Sequence, residues 1–345
     1  MNNSNRTEIA DLGEFGLIER LTQNILLKNA GSKTGVGDDA AVISCENGLQ
    51  TLVTTDLLLE GIHFDLTYVP LKHLGYKSAV VNFSDIYAMN GKPKQITVSL
   101  GISKRFSVED LERLYDGIKS ACNDHEVDIV GGDTSASLTG LTISITCIGE
   151  APEDKIVYRS GAKETDLICV SGDLGAAYMG LQLLEREKRV LDAGKSGVAP
   201  DFSGKEYLLE RQLKPRARRD ITELLSDNGI LPTSMIDISD GLSSELLHIC
   251  KQSNVGCRIY EEHVPINYQT AVMAEEFNMN GVTAALNGGE DYELLFTVPL
   301  AMHEKVAHLK EIKIIGYITN DSLGASLIAR NGTEMKLKAQ GWNSL

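Results

Sequence analysis

The sequence predicts an α+β protein, with helices and strands mixed, in two domains. Three observations carry this. The chain has 345 residues, whereas a single core rarely grows beyond roughly 250–300 residues. Strand-like and helix-like apolar periods occur together in both halves. A polar, turn-rich stretch, APEDK followed by SGAKETD, falls near 150–165. The expected division is an N-terminal domain over 1–150 and a C-terminal domain over 151–345.

The elements follow in order. Phe15, Ile18, Leu21 and Ile25 recur at helical spacing, so a helix is expected over 14–28. A glycine-rich break, GSKTGVGDDAAV, comes next, and TLVTTD (51–56) reads as a strand ending in aspartate. The stretch 74–90 reads as a helix apolar on most sides, stopped by Gly91 and Pro93. Its exceptions Ser78, Asn82 and Asp85 share one face, and a polar stripe on a buried helix needs partners or a site. ITVSLGI (96–102) is a strand. Ser107, with Asp110 three residues on, caps a helix whose stripe is Leu111, Leu114 and Ile118. VDIV, a turn GGDT and a cleanly alternating strand through Ile143, Ile145 and Cys147 complete the first half. The second half reads as strand DLICVSG, a helix over 176–189 and an exposed Gly/Pro/Ser-rich flap over 192–205. Strand–turn–helix at IDISDGLSSELLHIC, loop–strand at NGGEDYELLFTV and strand IKIIGYI follow.

Composition narrows the function. Asp+Glu number 48 against 33 Lys+Arg, a formal charge of −15. That argues against a general nucleic-acid or anionic-membrane binder, whose affinity comes from clustered cations. An anionic substrate stays open, because carboxylates bind phosphates through Mg²⁺. No run reaches the ~18 apolar residues that span a bilayer, and the start MNNSNRTEIA lacks a signal-peptide apolar region. The six cysteines, without a C-x-x-C, read as reduced and mostly buried. A cytoplasmic enzyme is the class expected.

Familiar nucleotide signatures fail. Gly194-Lys195-Ser196 imitates a P-loop, but Arg189 stands where its first glycine belongs. Gly35-x-Gly37-x-x-Ala40 imitates a dinucleotide loop, but Asp38 and Asp39 sit where a pyrophosphate would approach. What stands out is aspartate at strand ends and glycine turns: Asp38 and Asp39 in GVGDDAAV, Asp56 in TTD, Asp133 in VGGDTS, Asp237 and Asp240 in IDISDG. Aspartate is common in such turns as a cap for backbone amides. That account does not cover Asp85, mid-helix among apolar residues, or Asp237, between two isoleucines, since an unpaired buried carboxylate is expensive. Together with the hydroxyls of Thr54, Thr55 and Ser239, these oxygens are the hard ligands Mg²⁺ prefers.

The chain resembles the thiamine-monophosphate kinases, within the superfamily of aminoimidazole-ribonucleotide synthetase and selenophosphate synthetase. Eight segments carry the resemblance in order: GEFGLI, GVGDDAA, TTDLLLEGIHF, KSAVVNFSDIYAMNGKP, GGDT, YRSGAK, IDISDGL and GGEDYEL, with Trp342 near the end. The resemblance implies an aminoimidazole-ribonucleotide synthetase-like fold, a homodimer built on the N-terminal mixed-sheet domain, and a C-terminal α/β domain completing the site. It implies transfer of the γ-phosphoryl of ATP to the phosphate of thiamine monophosphate. It assigns Mg²⁺ to Asp39, Thr54, Thr55, Asp56, Asp85, Asp133, Asp237 and Asp240. It assigns ATP to Gly132, Asp133, Arg159, Ser239 and Tyr115, and the thiamine substrate to His63, Glu290 and Trp342. No covalent nucleophile is implied. The rival readings are another ATP-dependent synthetase of the superfamily and a non-catalytic divalent-metal-binding relative. Cys45 comes after the GDD loop, unlike the reactive cysteine of selenophosphate synthetases, and every expected metal ligand is present.

Overall fold

The computed structural model describes residues 12–45, 48–192, 200 and 202–339. After a short helix α1 (Gly13–Thr22), the first half supplies β1 (Ser32–Thr34), β2 (Ala41–Ser44), β3 (Leu49–Leu59) and α2 (Leu71–Ala88). Then come β4 (Lys92–Ile102), α3 (Val108–His125), β5 (Asp128–Ala136) and β6 (Thr142–Pro152). These strands form one six-stranded sheet in the order β1-β2-β3-β6-β4-β5, antiparallel except for β4–β5.

The second half begins with β7 (Leu167–Ser171), α4 (Ala176–Asp192), α5 (Glu206–Leu213) and α6 (Arg219–Asp227). β8 (Ser234–Asp237), α7 (Leu242–Ser253), β9 (Val255–Tyr260), α8 (Tyr268–Glu276) and α9 (Gly281–Asn287) follow. The chain continues through β10 (Leu294–Val298), α10 (His303–Ala307), β11 (Ile312–Asn320), β12 (Ala325–Ile328) and β13 (Glu334–Lys336). The second sheet runs β13-β12-β9-β11-β7-β10-β8, with only β12–β9 parallel. Two separate mixed sheets flanked by helices make this an α+β fold.

The helix α2 explains how the halves meet. It packs against α3 and against β3, β6 and β4 of the first sheet, and also against β8 of the second. A helix enclosed by another helix and by two sheets is apolar on most sides, and α2 buries Leu74, Val80, Phe83, Ile86 and Tyr87. Tyr292 from the second half is buried in the same core as these residues, and Ala88 lies in the core around β10. Ser78 and Asn82, the expected polar stripe, bond to their own helix, although Asn82 Oδ1 is buried without a partner among the described residues. Ser78 Oγ donates to the Gly75 carbonyl and Asn82 Nδ2 to the Ser78 carbonyl.

Two local expectations change. The first helix ends at Thr22 rather than 28. Phe15 within the helix packs edge-on against His248 of α7, whereas Ile25, Leu26 and Leu27 beyond it are exposed, so packing favours the first turns over the extension. GGDT is no turn, because β5 runs straight through it, paired with β4. A Cβ at Gly132 would stand 1.9 Å from the Val98 carbonyl oxygen, so the glycine lets two strands approach closely instead of reversing the chain. The capping box at Ser107 and Asp110 forms as expected. All six cysteines are free, and five of them are buried. Most of the 192–205 flap lies outside the described residues.

Candidate active site

The site forms where α2, β3, β8 and the GDD loop converge. On α2, adjacent residues reach opposite partners. Asp85 Oδ2 accepts from Thr54 Oγ1 on β3 at 2.5 Å, and Ser84 Oγ donates to Asp237 Oδ2 at the end of β8, also at 2.5 Å. Carboxylate oxygens of Asp39, Asp85 and Asp237 all lie within 4.8 Å of one another. Arg159 faces this group. Its Nη2 and Nε donate to Asp39 Oδ1 at 2.6 and 3.2 Å, and its backbone N–H donates to Asp38.

Concentrated negative charge in a buried place disfavours ionisation. Burial, then the charges of Asp56, Asp237 and Asp39, push Asp85 well above the usual carboxylate range. Burial raises Asp56 to about 6. Burial and the Asp39 charge raise Asp237 to about 7. Asp39 Oδ2 is buried with no hydrogen-bond partner among the described residues. An orphaned carboxylate oxygen beside two further carboxylates is a donor set that fits a hard divalent cation such as Mg²⁺.

The IDISDG turn is held from behind. Buried Glu245 on α7 accepts from the backbone N–H groups of Ser239 and Asp240 at 3.2 and 2.8 Å. Asp240 is raised by burial, and Ser239 Oγ donates to it at 3.3 Å. The turn is stitched to the GGEDYEL loop. Glu290 N–H donates to the Ser239 carbonyl and Tyr292 N–H to that of Ile238. Gly289, at φ +71°, lies where a Cβ would meet the Ser239 carbonyl at 2.4 Å, so this close approach requires glycine.

Beside this turn opens a cleft lined by Leu58, His63, Tyr68, Lys77, Gln212 and Leu213 among others. Glu290 sits against it, because its Oε2 accepts from two of those lining residues, Lys77 Nζ and Gln212 Nε2, at 2.8 Å each. His63 is exposed, and its Nδ1 accepts from the Leu59 N–H. Tyr68 Oη donates to Glu185 on α4, pinning the His63 loop to the second half.

Of the residues expected from sequence, one copy of the chain brings together Asp39, Thr54, Asp56, Asp85, Asp237, Asp240, Arg159 and Ser239 at one end, and His63 and Glu290 at the other. It does not bring Thr55, Gly132, Asp133 or Tyr115 to the carboxylate group. Thr55 is exposed on the opposite face of β3, bonded to Thr146 and the Ile145 carbonyl, because successive side chains alternate. Leu57, Ser144, Ser99 and Asp133 are register partners across β3, β6, β4 and β5. Asp133 therefore shares the open face, three strand spacings or about 14 Å from β3. Tyr115 packs half-buried against the first-half core. Trp342 lies outside the described residues. Sequence reasoning missed Ser84, Lys77, Gln212 and Glu245. Of these, Lys77 and Ser84 carried a signal, as polar residues on an otherwise apolar helix.

Comparison with known proteins places this site. Residues 37–151 match the AIR synthase related protein N-terminal domain, and 152–327 match the AIR synthase related protein C-terminal domain. The thiamine-monophosphate kinase of Bacillus subtilis (strain 168) is 32% identical over 96% of this chain and 99% of that protein. The chain belongs to the thiamine-monophosphate kinase family. The family member of Aquifex aeolicus (strain VF5) is 36% identical over 84% of this chain and 87% of its own length. Among solved structures of the family, AaThiL complexed with AMPPCP and TMP superposes with a TM-score of 0.81. It is 32% identical, covering 99% of this chain and 100% of that one. Thiamine monophosphate kinase from Aquifex aeolicus gives 0.75 at 30% identity, covering 96% and 100%.

Proposed function

We propose that this chain transfers the γ-phosphoryl of ATP to the phosphate of thiamine monophosphate, giving ADP and thiamine diphosphate by direct in-line attack. The observation that carries this is the buried group of Asp39, Asp85 and Asp237, set beside a separate cleft at Glu290, in a chain with end-to-end likeness to thiamine-monophosphate kinases. The acceptor is a phosphate monoester with a second pKa of about 6, mostly dianionic at neutral pH. It needs no general base. The obstacle is repulsion, since two unit charges ~4 Å apart repel by about 4 kcal/mol at an effective dielectric of ~20.

Magnesium held by the aspartates would offset that repulsion and align the two phosphates. The chain's own groups do the rest. Arg159, already at Asp39, offers its remaining N–H groups to a nucleotide phosphate. Ser84 and Thr54 fix the rotamers of Asp237 and Asp85, and Glu245 fixes the turn carrying Ser239 and Asp240. His63, Glu290 and Trp342 take the thiamine moiety. Residues 1–150 supply Asp39, Thr54, Asp56 and Asp85 to the ATP and metal site, and 151–345 complete the metal, nucleotide and substrate sites with Asp237, Asp240, Arg159, Ser239 and Glu290. The free cysteines suit a cytoplasmic, reducing setting. The test is turnover of purified full-length protein with ATP, Mg²⁺ and thiamine monophosphate, followed by ³¹P NMR. The γ-phosphoryl of ATP should appear in thiamine diphosphate alone, and a trapped phospho-enzyme or ATP consumed without acceptor would count against the reading.

The functional unit is a homodimer. β5 is exposed along its whole length, and Leu57, Ile129 and Val130 of the same sheet are exposed apolar residues, the pattern of an interface rather than a solvated edge. A second copy packed here would cover the face bearing Thr55 and Asp133, and these residues would join a site shared between subunits. In sedimentation the protein should run at twice its 37.5 kDa chain mass. Leu57→Arg should give a folded monomer with activity reduced ~10²-fold or more, the scale of losing one main electrostatic element. A fully active monomer would remove the shared site.

A further inference from the structure

Lys77 and Gln212 are both buried, 5% exposed each, on either side of the Glu290 carboxylate. Lys77 comes from α2 and Gln212 from α5, so two halves of the molecule converge on one acidic side chain. Both donate to the same oxygen, Oε2, at 2.8 Å. Lys77 Nζ also donates to the Gln212 backbone carbonyl at 3.2 Å. The carboxylate cannot turn without breaking two hydrogen bonds, one of them from an ammonium.

This arrangement leaves two acceptors over. Glu290 Oε1 accepts from none of the described residues. Gln212 Oε1 is buried and has no partner among the described residues, and its residue lines the cleft. Buried acceptors are normally satisfied, so an orphan at a cleft wall points to a ligand. Gln212 is oriented by its own chemistry, because only its NH₂ end can donate to Glu290, and this aims its carbonyl oxygen away.

We propose that Glu290 Oε1 and Gln212 Oε1 form a two-acceptor seat for the exocyclic amine of an aminopyrimidine, each taking one N–H, with Lys77 as the positioning residue that locks Glu290. The proposal rests on the functional reading above and names the part of the substrate that this cleft recognises. An amine on a pyrimidine carries two N–H donors and matches two acceptors. A carbonyl at the same position presents lone pairs to both and leaves them unpaired. The seat therefore selects the amino over the oxo form of the ring.

The experiment compares kcat/KM for thiamine monophosphate and its 4-oxo analogue in the full-length protein. Wild type should favour the amine by at least ~10²-fold, as sites built to pair a buried donor do. Gln212→Met should cut that preference roughly tenfold or more, with the KM for ATP unchanged. Lys77→Met should do the same through a raised KM with kcat held within about threefold, and Lys77→Arg should restore most of the preference. Loss of a merely structural ion pair would change melting temperature but not the amine-to-oxo ratio. An unchanged ratio in folded Gln212→Met overturns the seat, and an unchanged ratio in folded Lys77→Met overturns the locking role. If Lys77→Met does not fold, Gln212→Met decides. If wild type fails to turn over thiamine monophosphate, the functional reading falls by itself. Calorimetric binding of 4-amino-5-hydroxymethyl-2-methylpyrimidine to wild type and Gln212→Met then decides the seat, with a tenfold or greater loss supporting it and equal or absent binding overturning it.

Discussion

Asp85→Asn is expected to lower kcat by ~10²–10³-fold while making the metal-free protein more stable. The two effects share one cause. Asp85 stands within 4.8 Å of Asp39 and Asp237, with Arg159 engaged by Asp39. Without a bound cation, every added negative charge there works against the fold. Asparagine keeps the shape and still accepts from Thr54 Oγ1 through its carbonyl oxygen, so packing survives. The melting temperature in chelator should rise by about 1–2 °C, the shift that ~1 kcal/mol gives a chain of 345 residues. In Mg²⁺ the order should reverse, since wild type gains from the ion and the variant gains less. Scanning calorimetry of both proteins in chelator and in Mg²⁺ gives the four values needed. A variant that is inactive but less stable than wild type in chelator would show that Asp85 is a packing residue and not part of a poised charge cluster.

Stored repulsion of this kind is readable only where tertiary contacts are known, and this marks how far the sequence can be read. Local chemistry was legible. The Ser107–Asp110 capping box formed, and Ile143, Ile145 and Cys147 turned to the core as their alternation required. Asp85 stood out because an apolar helix does not otherwise carry a carboxylate. Three features were illegible, each for a physical reason. GGDT has the composition of a turn, and only the contact of Gly132 with Val98 on the neighbouring strand makes it extended. Ser78 and Asn82 sit at helical spacing from Asp85, yet they bond to their own helix, while the site uses the next position, Ser84, because β8 lies on that side. Gln212 and Glu245 look like ordinary helix residues, and their roles depend on Glu290 and on the Ser239–Asp240 turn arriving from elsewhere in the chain.

The largest response to conditions should come from pH and metal together. Asp237 is raised from 3.8 to about 7 and Asp56 to about 6, and Asp85 lies well above its ordinary value. In the unfolded chain these groups titrate near 3.9. Between pH 4 and 7 the folded metal-free protein therefore holds protons that the unfolded chain has released. Stability then falls as pH rises, because the slope of unfolding free energy with pH follows protons bound unfolded minus folded, here negative. The contribution is fully present below about pH 4 and is lost by the time pH passes 7. Divalent cation replaces those protons, so Mg²⁺ should stabilise strongly at pH 8 and hardly at pH 5, with proton release on binding at pH 6–7. Urea melts of wild type at pH 5, 6.5 and 8, each in chelator and in Mg²⁺, test this directly. The expected chelator series declines toward pH 8 and the Mg²⁺ series stays level. Asp237→Asn, which keeps a carbonyl oxygen for Ser84 Oγ and removes one buried charge, should flatten the chelator series. A chelator series that rises from pH 5 to pH 8 would mean that the aspartates are already paired in the fold, and a metal role for Asp39, Asp85 and Asp237 would lose its physical basis.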